Sequence, residues 1–378
     1  QTRPYESLLE GVPSPIPESL RPGLDDPLII IFTSGTTGRP KGALISHRNT
    51  FAMARASNDI WKATPEDKVL LNLPVSHVGG THDQIAIQLC AGATGVLMPS
   101  FDPRQMLEMI ARHGITFTGG VPTMYRLIFL NCNIKDYDVS SVRCLVISGE
   151  PSPPELVYEI KECFPNAALA ASWGMTETAG FFTFTRRDDP LEVVAQTEGS
   201  PGDNSSMKVL RPDGTWANPG ETGELVVKGE AVIKGYMNEE DNENAFIEGG
   251  WLRTGDLGFM DEKNYLHYVG RIKEMYISGG YNVYPLEIES FLNVYPGVNT
   301  SAVLGISDSV WGETGLAFVI PDEGVELTAE QITDYCREGL ADYKRPRKIM
   351  IVKDLPRSAV GKIAKQELIK NLQDYLGA

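Results

Sequence analysis

Thr33-Ser34-Gly35-Thr36-Thr37-Gly38-Arg39-Pro40-Lys41-Gly42 stands between two apolar stretches, Leu28 to Phe32 and Ala43-Leu44-Ile45. Its glycines let the backbone come close to an anion and turn N–H groups toward it. The hydroxyls of Thr33, Ser34, Thr36 and Thr37 add donors, and Lys41 adds positive charge. The run therefore reads as a phosphate cradle. A plain surface turn is the alternative, although linkers seldom sit between two apolar strands. The nucleotide-binding pattern G-x-x-x-x-G-K-[ST] does not fit. Gly35 and Gly38 are too close together, and Gly42 follows Lys41 where that pattern needs Ser or Thr.

Working outward, Leu28 to Phe32 reads as a buried strand. Ser46 is positioned to cap a helix running to about residue 60. Lys68 to Leu73, Ile115 to Thr118, Cys144 to Ser148 and Leu169 to Ser172 read as strands. Helices are expected from Pro103 (capped by Asp102 and closed by Gly114), from Pro122, and from Pro154 to Cys163. Alternation of this kind predicts an α/β fold with a largely parallel sheet covered by helices. Residues 1–185 form that part of a large domain. Short strands and Gly/Pro/Asn/Asp turns follow, giving a β-rich subdomain over 186–272. Helices at Leu286–Val294, Ala329–Leu340 and Lys365–Leu376, with strands at Ser301–Ile306, Gly315–Ile320 and Lys348–Val352, make 273–378 a small α+β domain.

The length of 378 residues exceeds one ordinary core and fits this division. The net charge of −16 repels nucleic acid and anionic membrane, so neither is an expected partner. It also repels polyanions such as ATP or CoA, so if such a ligand binds, local cations and amides must hold it. No apolar run reaches the roughly 18 residues of a membrane span. Cys90, Cys132, Cys144, Cys163 and Cys336 are scattered, without C-x-x-C spacing. A reduced, cytoplasmic compartment is expected.

The Thr33–Gly42 run closely resembles the signature of the adenylate-forming superfamily, which includes acyl- and aryl-CoA synthetases, nonribosomal-peptide adenylation domains and firefly luciferase. Later segments follow in that family's order: Ser148-Gly149-Glu150-Pro151, Trp173-Gly174-Met175-Thr176-Glu177, Gly223-Glu224-Leu225, Trp251 to Leu257, Gly270-Arg271-Ile272-Lys273, Ser278 to Asn282, and Pro356 to Ile363. Fatty-acid and acyl-CoA ligases are the nearest branch. The fold implied is a large domain of mixed βαβ layers with a β-rich subdomain, and a mobile C-terminal α+β domain hinged at Lys273.

The resemblance implies a role for each matching residue. Thr33, Ser34, Gly35, Thr36, Thr37, Gly38 and Lys41 hold the β- and γ-phosphates of ATP. Gly149, Glu150 and Pro151 line the adenine pocket, and Trp173, Gly174 and Met175 continue it. Thr176 touches phosphate and Glu177 holds Mg²⁺. Asp256 binds the ribose hydroxyls, and Arg271 reaches ribose or phosphate. Gly279 and Gly280 line the pantetheine tunnel for CoA. Lys362 bridges the carboxylate and the α-phosphate, and His77 lies beside the acyl carboxylate. Trp173 departs from the family's usual tyrosine, which removes a phenol hydroxyl.

The implied reaction is ATP-dependent ligation of a carboxylic acid to CoA through an acyl-adenylate, within fatty-acid metabolism. An aliphatic acyl group is favoured and an aryl group is compatible. Loading of a carrier-protein thiol is the alternative enzyme reading, mildly disfavoured because no carrier domain follows Ala378. A nucleotide-binding paralogue without full turnover is the third. In the family a sizeable N-terminal subdomain precedes the phosphate loop, whereas here only residues 1–27 do. The apolar faces behind the loop are thus expected to need a second copy or a complementing N-terminal fragment.

Other features keep two readings. An isolated histidine such as His77 is ordinarily a core or capping residue. His82 stands five residues on, a spacing that does not suit a shared helical metal site. Lys344-Arg345-Pro346-Arg347-Lys348 is either a CoA-phosphate contact or a solvated turn. The small residues Ala171, Ser172, Gly174, Ala179 and Gly180, opposite Gly119, Gly120 and Val121, are expected to wall the acyl pocket.

Overall fold

The computed structural model describes residues 17–33, 40–150, 152–357, 363–372 and 375. Ser34 to Arg39, Pro151 and Lys362 lie outside the described residues.

The centre is a five-stranded parallel sheet. Its order is Thr94–Leu97, Lys68–Leu71, Phe117–Gly120, Cys144–Ser148 and Ala168–Ser172. The strands Cys144–Ser148 and Ala168–Ser172 are almost wholly apolar because both of their faces are covered, whereas Thr94–Leu97, at one edge, is largely exposed. Phe117, Cys144, Val146 and Ala170 pack in the core that includes Met53 and Trp61 of the helix His47–Trp61. Leu70, Leu145, Ile147 and Ala171 join the opposite core, with Met106, Ile110, Tyr125, Leu156 and Ile160 of the helices Pro103–His113, Pro122–Asn131 and Pro154–Cys163. The helix starts follow their caps. Ser46 and Asn49 form a reciprocal capping box, and the Asp102 carboxylate accepts from Gln105 N–H at 2.8 Å.

The strand Pro27–Thr33 pairs antiparallel with Lys41–Ser46, with Thr33 opposite Lys41. The two described ends of the loop, Thr33 and Lys41, thus stand opposite each other at one end of a two-stranded ribbon. The expectation of a fully buried first strand is corrected: Leu28, Ile30 and Phe32 are 48, 43 and 61% exposed, while Ile31 is buried. Period-two alternation puts those three on one face, and the described residues cover only the other.

The β-rich region forms a five-stranded antiparallel sheet from Ser205–Leu210, Gly223–Gly229, Phe246–Ile247, Trp251–Met260 and Leu266–Arg271. A short helix, Leu191–Gln196, precedes it. The C-terminal part has its own sheet: Tyr276–Ser278, Tyr281–Val283, Val298–Asp308, Gly312–Pro321 and Lys348–Ile351. Pro285–Leu292 and Ala329–Gly339 contribute to its own core. Among the elements that escaped the sequence reading are the strand Thr94–Leu97, the helix Leu191–Gln196, the hairpin strands Tyr276–Ser278 and Tyr281–Val283, and the helical stretch Val78 to Ala91, whose middle, Thr81–Ala86, is a π turn. Among the described residues no helix is long and apolar enough to cross a membrane.

Candidate active site

Ligand sites of open parallel sheets lie beyond the carboxyl ends of the strands. Here those ends are Gly120, Ser148 and Ser172, and a cavity opens beside the first two. Its walls include Val69, Leu73, Phe117, Val146 and Phe181, with His77, Gly120 and Gly149 also lining it. His77 caps the turn Val78–Gly80, its Nδ1 accepting from Gly79 N–H at 3.0 Å, and it also faces the cavity. His77 is thus a capping residue that also borders the cavity.

The strand Ala168–Ser172 leads directly into Trp173, whose indole N–H donates to Asp256 Oδ2 at 2.9 Å. Arg271 Nε lies 3.5 Å from Asp256 Oδ1. Asp256 and Arg271 face each other across paired strands, so the sheet register itself brings them together. Trp173 lacks the phenol hydroxyl of a tyrosine, but its indole N–H donates to Asp256. Neighbouring Asp256 and Tyr268 hold the Arg271 guanidinium more strongly protonated, outweighing burial.

Glu177 is buried, and Tyr236 O–H donates to its Oε1 at 2.8 Å. Burial pushes its carboxyl up from the ordinary range, and the phenol only partly offsets this. Asp256 repels and Arg271 attracts the same carboxylate, so the three share one electrostatic neighbourhood. Lys41 extends the group: its ammonium lies 5.2 Å from the Tyr236 ring centre and 3.8 Å from Asp241 Oδ1. A buried hard-oxygen ligand with a phenol on one oxygen suits Mg²⁺, which is held by one or two carboxylates together with substrate phosphates. Among the described residues no group of three or more His, Cys, Asp or Glu converges as a metal cage.

Sequence reasoning missed Tyr236 and Asp241. Their partners lie far away in the chain, and no local spacing marks them. Thr33 Oγ1 donates to Lys41 O at 3.4 Å across the ribbon mouth. Glu150 Oε2 accepts from Thr123 O–H at 3.1 Å, and Gly149 turns the chain at φ +88°. Thr176 is buried next to Glu177, and Gly174 and Met175 form the short strand before it.

Several expectations change. Ala171, Ser172, Gly174, Ala179 and Gly180 do not line the cavity; Gly119, Gly120 and Val121 do. The small residues serve backbone packing instead: a Cβ on Gly174 would sit 2.1 Å from Gly180 O. Gly279 and Gly280 form the turn between the paired strands Tyr276–Ser278 and Tyr281–Val283, both at positive φ (+56° and +86°), as a two-residue hairpin of the I′ kind requires. A Cβ on Gly279 would also meet Trp311 at 2.8 Å, so turn geometry already explains these glycines. In the basic run, Lys344 pairs with Glu287, and Arg345 and Arg347 pair with Asp342. Arg347 also lies 4.7 Å from the Trp311 ring centre. That pattern favours the structural turn. His82 is buried between Thr50 and Thr81 hydroxyls at 3.0 and 2.9 Å from its two ring nitrogens, which makes it a core histidine.

Comparison with known proteins adds an independent line. The model of the AMP-binding enzyme family matches residues 3–237, and that of the AMP-binding enzyme C-terminal domain matches residues 287–362. Indoleacetate–CoA ligase of Aromatoleum aromaticum is 36% identical over 96% of this chain and 71% of its own length. Feruloyl-CoA synthase of an Amycolatopsis species is 35% identical over 93% of this chain and 71% of its own. O-succinylbenzoate coenzyme A synthetase of Bacillus subtilis, solved with ATP and magnesium ion, superposes with a TM-score of 0.84 at 32% identity, covering 96% of this chain and 74% of that one.

Proposed function

The chain belongs to the AMP-binding enzyme family and is an ATP-dependent carboxylic acid–CoA ligase, and we propose how its residues share that reaction. A carboxylate has a poor leaving group. Its oxygen attacks the α-phosphate of ATP, the bond to pyrophosphate breaks, and an acyl-adenylate with AMP as leaving group results. The CoA thiolate then attacks the acyl carbon, forming the thioester and releasing AMP. Two anions must meet in the first step, so catalysis rests on positioning and charge neutralisation.

The observation that carries this division of roles is the cluster in which Trp173, at the end of the strand Ala168–Ser172, with Asp256 and Arg271, adjoins Glu177, Tyr236 and Lys41. Asp256, braced by Trp173 and Arg271, takes the ribose hydroxyls. Gly149, Glu150, Pro151, Gly174 and Met175 bound the adenine pocket, and the Trp173 ring borders it. Thr176 and the loop Thr33 to Lys41 hold phosphate oxygens. Glu177 is the residue for Mg²⁺, which when bound offsets phosphate charge; its buried, burdened carboxyl gains from a cation there. His77 borders the acyl carboxylate, and Lys362, by its sequence context, supplies the cation between carboxylate and α-phosphate.

The two steps need different surroundings at one carbonyl. We assign residues 1–185 and 186–272 to the large domain and 273–378 to a domain that turns about Lys273. That turn withdraws Lys362 and brings Gly279-Gly280 to the thiol path. We place the enzyme in the cytoplasm, acting on fatty or related acids. Release of pyrophosphate that requires both Mg-ATP and a carboxylic acid tests the reading. ATP binding without acid-dependent pyrophosphate would favour a non-turning-over paralogue.

A further inference from the structure

The apolar cavity beside His77 contains polar groups that the reaction leaves unused, among them Asp83 and Thr118. Asp83 lies in the π turn Thr81–Ala86, an irregularity frequent at functional sites, and its side chain lines the cavity among Val69, Leu73, Phe117, Val146 and Phe181. Its Oδ1 accepts from Phe181 N–H at 3.0 Å. The approach is so close that a Cβ on Gly180 would sit 2.0 Å from Oδ1. Among the described residues Asp83 Oδ2 has no hydrogen-bond partner.

Of the neighbouring polar groups, Gln84 and His77 are already engaged, whereas the buried Thr118 hydroxyl has no hydrogen-bond partner among the described residues. Gln84 Oε1 accepts from Asn72 N–H at 2.9 Å and Leu73 N–H at 3.0 Å, and Gln84 Nε2 donates to Asn72 Oδ1 at 2.6 Å. His77 Nδ1 accepts from Gly79. A Cβ on Gly79 would lie 3.2 Å from His77 Nδ1 and 3.9 Å from Asp83 Oδ2, so the two residues flank the same patch of wall. Burial drives the Asp83 carboxyl well above the usual range, against the Phe181 N–H. In its neutral form, Oδ1 is fixed as the acceptor for Phe181, which leaves the acid proton on Oδ2.

We propose that Asp83 sets acyl specificity, selecting acids whose acyl chain carries a neutral oxygen (hydroxyl, carbonyl or ether) that accepts a hydrogen bond from Asp83 Oδ2. This rests on the acid-activating reading of the cavity above. Pockets of this kind are mostly apolar, with a few polar groups that fix orientation. An all-methylene chain leaves the half-buried Asp83 donor in the cavity wall unpaired, and sites built to hydrogen-bond a substrate oxygen discriminate strongly against analogues lacking it.

The test measures kcat/KM by pyrophosphate release for matched acids: octanoate against its hydroxy and oxo derivatives at successive carbons, and phenylpropanoate against its ring-hydroxylated forms. The expected result is a preference of about tenfold or more for the oxygenated member of at least one pair. Asp83→Leu should abolish that preference. Asp83→Asn should keep it, because Oδ1 still accepts from Phe181 and Nδ2 still donates. A thermal shift with ATP verifies that each variant is folded. Turnover of the parent acids with no oxygen preference overturns the inference and spares the ligase reading. So does an equal loss by Asp83→Leu for both members of every pair. No pyrophosphate release with any acid overturns the acid-activating reading and this inference with it.

Discussion

Trp173→Phe removes one N–H and keeps an aromatic ring. Trp173 and Asp256 are each 8% exposed, so their 2.9 Å bond is shielded from water. A hydrogen bond to a charged group contributes about 1.5–3 kcal/mol. Arg271 stays 3.5 Å from the other carboxylate oxygen, so part of the orientation survives and the loss belongs at the low end. At about 1.4 kcal/mol per factor of ten, kcat/KM for ATP should fall roughly tenfold. The assay is acid-dependent ATP–pyrophosphate exchange with ATP, 2′-deoxy-ATP and 3′-deoxy-ATP. If Asp256 reads the ribose and Trp173 aims it, the penalty for the deoxy nucleotides should shrink in the variant. A cycle with Asp256→Asn should show coupling, because the two residues touch. Unchanged KM for ATP with unchanged deoxy discrimination would refute the assignment.

Two further outcomes follow from named residues. Lys362→Ala should abolish adenylate formation while leaving thioester formation from supplied acyl-adenylate largely intact; equal loss of both steps would exclude a role confined to the first. His82 has its pKa pushed down by burial from 6.5 to about 4. Between those values the unfolded chain binds more protons than the folded one, so stability falls as pH drops from 6.5 through 4, by up to about 3 kcal/mol. His82→Asn should flatten the melting temperature over that interval, and a profile as steep as the parent's would contradict the burial argument.

Local chemistry made much of the fold legible. Ser46, Asp102 and the prolines at 103, 122 and 154 mark helix starts found within a residue or two, because caps and fixed φ act over a single turn. Thr94–Leu97 was hidden by its brevity and its central glycine. The helical stretch after His77 was masked by Gly79 and Gly80. Gly80 is there because a Cβ would meet Pro74 O at 2.3 Å. Ordered motifs pointed to Glu177, Asp256 and Arg271. The pairings did not come with them: Tyr236, unmarked in the sequence, reaches Glu177, and Trp173 reaches Asp256, only through folding of distant segments. Ala171, Ser172, Gly174, Ala179 and Gly180 lie off the cavity because small size signals close packing as readily as open space, and Gly174 against Gly180 is the former.

The central claim is acid activation through an adenylate followed by transfer to CoA. The most direct measurement is the product balance of one reaction containing a carboxylic acid, Mg-ATP and CoA. The account predicts equal amounts of acyl-CoA, AMP and pyrophosphate, with acyl-AMP replacing acyl-CoA and AMP when CoA is omitted. ADP and inorganic phosphate as products, or ATP consumption that ignores the acid, would contradict it.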